Sequence, residues 1–235
     1  MGPNVHGRQV ERPPRRPLRD RVDPILAAVV FALFARTFLF QAFEVPSASM
    51  EKTVLTGDRL LVSKFLYAPR AGPLSGLLPS RPPRRGDVVV FRFPEDPRRD
   101  FIKRVVGLPG ETVAIRDRQV FVDGRPLSEP YTFHADDRVW PDDPAIPEEH
   151  RRRDQLAERT VPAGAYFVLG DNRDDSSDSR SWGPVPASHV VGRALLVYWS
   201  LPPRASDAPS GGSTLARPFE ILSRTRWSRS FLPVR

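Results

Sequence analysis

The chain contains no cysteine. That removes disulfides, thiol nucleophiles and thiolate metal sites, and leaves the compartment open. Lysine is scarce: of 36 basic residues only Lys52, Lys64 and Lys103 are lysine. Histidine occurs four times, as His6, His134, His150 and His189, and none sits in a motif. A Ser-His-Asp triad therefore has no evident base. Helical periodicity is missing outside one apolar run near the start. The 27 prolines against 15 glycines point to turns and extended connections in place of a helical bundle.

What the sequence has in excess is arginine, and the net charge is +8 over 235 residues. Residues 1–21 carry six arginines against Glu11 and Asp20, and residues 203–235 carry six against Asp207 and Glu220. The body between these tails has no net charge. A nucleic-acid reader keeps its basic residues on the folded body, so no nucleic-acid partner is expected.

Residues 22–43 are almost entirely apolar, broken by Arg36 near one end. About 20 such residues span a bilayer, and the long Arg36 stem reaches the interface from that position. A transmembrane helix is expected here. Arg15, Arg16, Arg19 and Arg21 precede it and keep the N-terminus cytoplasmic. A cleaved signal peptide shares the basic start, the apolar run and the small residues Ser47-Ala48-Ser49. A core helix is disfavoured because the run is apolar on nearly all faces.

Beyond Phe43 the pattern is of short β runs. Arg59–Ser63, Asp87–Phe93, Phe101–Val106, Ala165–Leu169 and Val190–Trp199 read as strands between Gly, Pro or Asp residues. Thr112–Ile115 and Gln119–Val122 alternate around a short polar turn, as a hairpin does. The reading is mainly β, with a basic segment at 1–21, the membrane helix at 22–43 and an extracytoplasmic catalytic domain at 44–201. A flexible linker and basic tail follow at 202–235. Residues 68–85 read as a surface loop and 134–160 as a charged, proline-dotted excursion. No helix is expected outside the membrane segment.

Lysine scarcity bears on catalysis. Arginine does not deprotonate in a protein, whereas a desolvated lysine does. Strand alternation puts Phe101, Lys103 and Val105 on one face and Ile102, Arg104 and Val106 on the other, giving the Lys103 amine apolar neighbours. Burial lowers a lysine pKa by up to ~3–5 units, and a neutral amine can take a proton from a serine hydroxyl. A lone strand lysine is otherwise a surface residue whose stem covers apolar neighbours. Pro46-Ser-Ala-Ser-Met50 supplies a serine just beyond the apolar run. Such a turn could present Ser49 as nucleophile, with its own N–H and the Ser47 hydroxyl facing the developing oxyanion. A plain polar loop is the alternative. The third constellation, Gly170-Asp-Asn-Arg-Asp-Asp-Ser-Ser-Asp-Ser-Arg-Ser-Trp-Gly183, alternates acids with arginines. It fails the EF-hand pattern at the glycine and closing glutamate. Gly107-Leu-Pro-Gly-Glu-Thr112 lacks the Gly-Lys-Ser/Thr ending of a phosphate loop.

Together these segments resemble the bacterial type I signal peptidases, membrane-anchored proteases with a Ser/Lys dyad. The match runs in order through Pro46–Met50, Gly57–Val62, Arg85–Phe91, Phe101–Gly110 and Gly170–Gly183, within about residues 36–200. The resemblance implies a coiled β-sheet catalytic domain behind one N-terminal transmembrane helix. It implies that Ser49 is the nucleophile, Lys103 the general base and Ser47 an oxyanion donor. Ser176 would orient the lysine, Asp178 and Arg180 would brace their loop as an ion pair, and Asp171 and Arg104 would brace the site from behind. Val45, Pro46, Met50, Val54, Phe101 and Ile102 would line shallow pockets for small residues before the cut. Relatives often have Met-x-Pro-Thr-Leu after the nucleophile, where this chain has Met50-Glu-Lys-Thr-Val54. Lysine at 103, where endoplasmic-reticulum relatives carry histidine, favours the bacterial branch.

The expected activity is removal of signal peptides from exported preproteins at the outer face of the bacterial cytoplasmic membrane, with no metal or cofactor. The phospholipid bilayer and the secretion translocon are the expected partners. Two rivals exist: a repressor-type Ser/Lys autoprotease and a non-catalytic membrane-anchored binding domain. The first needs a DNA-binding helix-turn-helix where this chain has its apolar run.

Overall fold

A computed structural model describes residues 18–67, 80–203 and 217–235. The basic start through residue 17 and the linker at 204–216 lie outside the described residues, as does most of the expected loop at 68–85. The chain divides into two compact units, Met1–Thr37 and Phe38–Arg235.

In the first unit, α1 spans Leu18–Phe34. From Val22 to Phe34 its apolar side chains, Ile25, Leu26, Val29, Val30, Phe31 and Leu33 among them, are exposed. A helix apolar on its whole circumference and buried against nothing suits a lipid surround. The helical stretch Val22–Leu39 is long and apolar enough to cross a bilayer. It ends in a π-helical turn, Ala35–Leu39, and the chain then becomes strand β1, Phe40–Glu44. The expected helix at 22–43 thus stops four residues early. Phe40–Glu44 pairs antiparallel with Arg59–Ser63, and composition alone could not tell that short apolar end from more helix.

In the second unit, antiparallel strands β2 (Asp58–Ser63), β3 (Val88–Arg92), β4 (Asp100–Gly107), β9 (Ala165–Leu169), β10 (Val185–Pro186) and β11 (Val190–Ser200) join β1 in one sheet. Their order is β1-β2-β11-β3-β4-β9-β10. A smaller sheet, ordered β7-β6-β5-β8, contains β5 (Thr112–Arg116), β6 (Gln119–Val122), β7 (Arg125–Pro126) and β8 (Leu156–Thr160). The β5–β6 turn places Asp117 and Arg118 at φ 48° and 69°, two consecutive left-handed residues. That backbone matches the strand twist and lets a two-residue loop close the hairpin.

Strands β3 and β4 are covered on both faces, which is why they read as unbroken apolar runs. Val88, Val90 and Ile102 face a cluster containing Val45, Met50, Val54, Leu60 and Val62. Val89, Phe91 and Val105 face another with Tyr166, Val168 and Val185. A third cluster, including Val113, Ile115, Val120 and Phe167, joins the small sheet to the large one.

Three helices appear where none was expected: α2 (Glu148–Asp154), α3 (Ser179–Trp182) and α4 (Arg217–Arg224). Helix α2 has no apolar stripe to betray it. Its sign is charge order, with Glu148 and Glu149 in the first turn and Arg151–Arg153 in the last, matching the helix dipole. The closing residues are not a free tail either. Strand β12, Leu232–Pro233, pairs with β11, and Val234 is buried in the core.

Candidate active site

Three chain segments meet at Ser49. The first carries the serine. Ser47 is extended at φ −141° and ψ 164°, and Ala48–Met50 form one 3-10 turn. Turn and strand are tied together by Val45 N–H to Asp58 O and Gly57 N–H to Val45 O, both 2.9 Å. Ser49 is only 6% exposed. The second segment is β4. Its Lys103 Nζ lies 2.7 Å from Ser49 Oγ and donates to Ile102 O at 3.1 Å. The amine donates to the hydroxyl when charged and accepts from it when neutral. The third is the loop after β9. Asn172 N–H donates to Ser49 O at 3.1 Å, and its Nδ2 donates to Ala48 O at 3.3 Å.

Burial decides the charge of Lys103, which is 4% exposed. Desolvation brings its pKa from 10.5 down to about 8. Asp178 pulls the value up, Arg180 pushes it down, and Asp171 and Asp175 oppose the fall. At pH 7 roughly one molecule in ten then holds a free amine, where an ordinary lysine offers fewer than about one in a thousand.

Two buried ion pairs hold the surroundings. Asp178 Oδ1 and Oδ2 accept from Arg180 Nε and Nη2, each at 2.8 Å, and Asp178 Oδ2 also accepts the Gly170 N–H at 3.0 Å. Burial would raise this carboxyl's pKa, but the Arg180 charge and these bonds outweigh it and hold the group below its usual range. Arg180 Nη2 continues to Arg173 O at 2.8 Å, so the pair closes the loop on itself. In the second pair, Arg104 grips Asp171 side-on at 2.7 and 2.6 Å. Thr53 Oγ1 donates to Asp171 Oδ2 at 2.5 Å and accepts from Arg104 Nη2 at 3.1 Å. This triangle joins the serine segment, the lysine strand and the third loop.

Ser47 Oγ donates a long bond to Ser49 Oγ at 3.3 Å, is exposed and caps no helix, so its hydroxyl can turn toward a substrate by giving up that one contact. Ser176 departs from expectation. Its hydroxyl donates to Asp178 Oδ2 at 2.8 Å and makes no hydrogen bond to Lys103. It bears on the lysine through Asp178.

A cleft of about 540 Å³ opens over the pair. Pro46, Phe101 and Ile102 line it as expected. Met50 and Val54 do not: both are fully buried in the core, as is Val45. They support the serine turn from beneath, and Val45 also borders an adjoining hollow with Pro46. A pattern of apolar residues around a nucleophile cannot separate floor from foundation. Arg99, Asp100, Asp175 and Ser177 line the cleft and escaped the sequence reading. So did Thr53 and Asn172, whose bonds to Asp171 and Ala48 span more than a hundred positions.

Gly170 is where the loop touches the serine. A Cβ there would lie 2.2 Å from Ser176 Oγ and 2.5 Å from Ser49 O. Gly170→Ala is therefore expected to displace Ser49 and lower kcat by about 100-fold or more. The check is steady-state kinetics beside a melting curve; unchanged kcat would show that the loop has room to yield.

The family described as signal peptidase, peptidase S26, matches residues 18–199. A signal peptidase I of Pseudomonas aeruginosa is 38% identical over 80% of this chain and 74% of its own length. One from Leptolyngbya laminosa is 38% identical over 78% of this chain and 80% of its own. A solved structure of a signal peptidase I from Enterococcus faecalis aligns with 48% of this chain and 97% of that one, at 37% identity and a TM-score of 0.37.

Proposed function

Since the chain belongs to the signal peptidase, peptidase S26, family, we propose that it removes signal peptides from preproteins by an acyl-enzyme mechanism with Ser49 as nucleophile. It is a serine endopeptidase. One observation carries the mechanism: a lysine amine buried to 4% exposure, 2.7 Å from a serine hydroxyl. Ser49 Oγ attacks the scissile carbonyl as Lys103 Nζ takes its proton. The same proton goes to the leaving amine as the C–N bond breaks. Lys103 then takes a proton from a water that attacks the ester, and returns it to Ser49 Oγ as the acyl C–O bond breaks. The Ser47 hydroxyl and the Ser49 N–H receive the oxyanion. Pro46, Phe101 and Ile102 hold the small residues before the cut.

The helix Val22–Leu39 is compatible with membrane anchoring. Under the positive-inside rule it crosses the bacterial cytoplasmic membrane once, with the arginine-rich start inside and the catalytic unit outside. Signal peptides leaving the translocon then arrive on the side of the cleft. Trp227 and Phe231 are exposed near Arg224, Arg226 and Arg229, a composition suited to lipid headgroups.

The direct test is incubation of the full chain, in detergent and lipid, with a preprotein. The expected product begins one residue after a small side chain; an uncut preprotein would overturn the function. A second outcome concerns pH. Lys103 acts when neutral, so kcat/KM should rise with pH and level off above an apparent pKa near 8. A profile flat from pH 6 to 9 would exclude this amine as the base.

A further inference from the structure

The last ten residues line no part of the cleft, yet they converge on the segment that carries the nucleophile. Beyond its single 3-10 turn, the run from Ala48 to Gly57 has no regular structure. Its course rests on Glu51 N–H to Ala48 O, Val54 N–H to Met50 O and Asp58 N–H to Leu55 O, each 2.9 Å. Lys52 sits in it at φ 85°, a left-handed conformation that a lysine keeps only when its surroundings enforce it.

Lys52 itself reaches Thr132 O, while the residues that follow it, Thr53, Thr56 and Asp58, are held by the C-terminal residues. Arg229 Nη2 donates to Thr53 O at 3.2 Å and to Asp58 Oδ2 at 2.7 Å. The Asp58 carboxylate is fully buried; its Oδ2 also accepts the Leu55 N–H at 2.9 Å and its Oδ1 the Ser200 hydroxyl at 2.5 Å. Arg226 Nη2 donates to Thr56 O at 3.1 Å. Val234 packs in the same cluster as Val45, Met50 and Val54. The Arg235 carbonyl accepts from Arg104 Nη2 at 3.0 Å, the nitrogen that also meets Asp171 and Thr53. The segment is fixed in turn to β11 by Phe231 N–H to Val197 O at 2.6 Å and Val234 N–H to Leu195 O at 2.9 Å.

The geometry points to residues 226–235 as a strap that positions Ser49 for Lys103, with Arg229 its main clamp. This rests on the Ser/Lys reading above. Asn172 fixes the serine turn from the side of the third loop; the strap fixes it from the opposite end, where Thr53 and Thr56 turn their carbonyls outward. A displacement of about 1 Å between reacting groups costs on the order of 100-fold in rate. Loosening the strap should therefore appear in kcat. It should leave KM nearly unchanged, because none of its residues lines the cleft.

The test compares the full-length wild type with Arg229→Gln, Arg229→Lys and Arg226→Gln in detergent, with the folded fraction measured by circular dichroism. Per folded molecule, Arg229→Gln should lose about tenfold or more in kcat, with KM within about twofold and the acid-limb pKa unmoved because Lys103 stays buried. Arg229→Lys should recover part of the loss, since an ammonium still pairs with Asp58 but lacks the fork that also reaches Thr53 O. Arg226→Gln, which removes the bond to Thr56 O and a 4.0 Å ion pair with Asp58 but leaves the shorter Arg229 pair, should show a smaller kcat loss. It decides the matter by the same readout if Arg229→Gln does not fold. Lower melting temperatures with unchanged kcat per folded molecule would overturn the strap and leave the dyad standing. A wild type that cuts no preprotein would instead overturn the function.

Discussion

Ser49→Ala should bring preprotein cleavage down to the level of the remaining binding groups, a loss of about 10⁴-fold or more in kcat. The substitution removes one hydroxyl from a buried turn and leaves intact the bonds from the Asn172 N–H to Ser49 O and from its side-chain amide to Ala48 O. The melting temperature should therefore change little, and substrate affinity should persist. Covalent labelling by an acylating inhibitor should vanish in the same variant. Turnover within about tenfold of wild type would mean that the attacking oxygen belongs to another residue or to water.

Lys103 carries the second large expectation, and two replacements separate its roles. Lys103→Arg should cost about 10³–10⁴-fold in kcat/KM, because a guanidinium keeps its charge at every working pH. It should also fold less well, having to bury a permanent and bulkier cation. Lys103→Met should lose as much activity but fold better than wild type at neutral pH. The folded-state pKa is about 8 against 10.5 when unfolded. Below pH 8 the wild type carries the full cost of burying an ammonium, roughly 3 kcal/mol. The cost is relieved as pH rises from 8 to 10.5, where the unfolded chain holds the extra proton. Methionine at 103 carries none of it, so the stability gap should close toward pH 10. Kinetics and thermal melts across pH 6–10 read both effects.

The sequence made the catalytic face legible because that face is built from local patterns. The alternation in Phe101–Val106 is the alternation of β4. Lys103 pairs across to Val89 and Phe101 to Phe91 on one face, while Ile102 and Arg104 face the other way. The hairpin at 112–122 was visible for the same reason, a period of two around a polar turn. What stayed hidden depends on distant partners. Thr53 matters because Asp171 and Arg104 meet it, and Arg229 because Asp58 is buried beneath it. Val234 closes the short apolar run Phe231-Leu232-Pro233-Val234, whose other members are exposed, and nothing local says which of them is buried. The pocket expectation erred on a related point. Met50 and Val54 are apolar and near the nucleophile, but sequence distance does not say which side of the turn a residue takes. Ser176 differs from its expected role by one link, binding the carboxylate that acts on the lysine and not the lysine itself.

The central claim is that burial lowers the Lys103 pKa to about 8, so that a working fraction of the amine is neutral near neutral pH. With only three lysines in the chain, ¹⁵N labelling of lysine gives three Nζ signals, and replacing Lys52 and Lys64 by arginine leaves one. Following that signal in the full-length protein from pH 6 to 11 measures the titration of Lys103 itself. The account predicts a midpoint near 8; a midpoint above 10 would mean a lysine charged throughout the working range, and would contradict it.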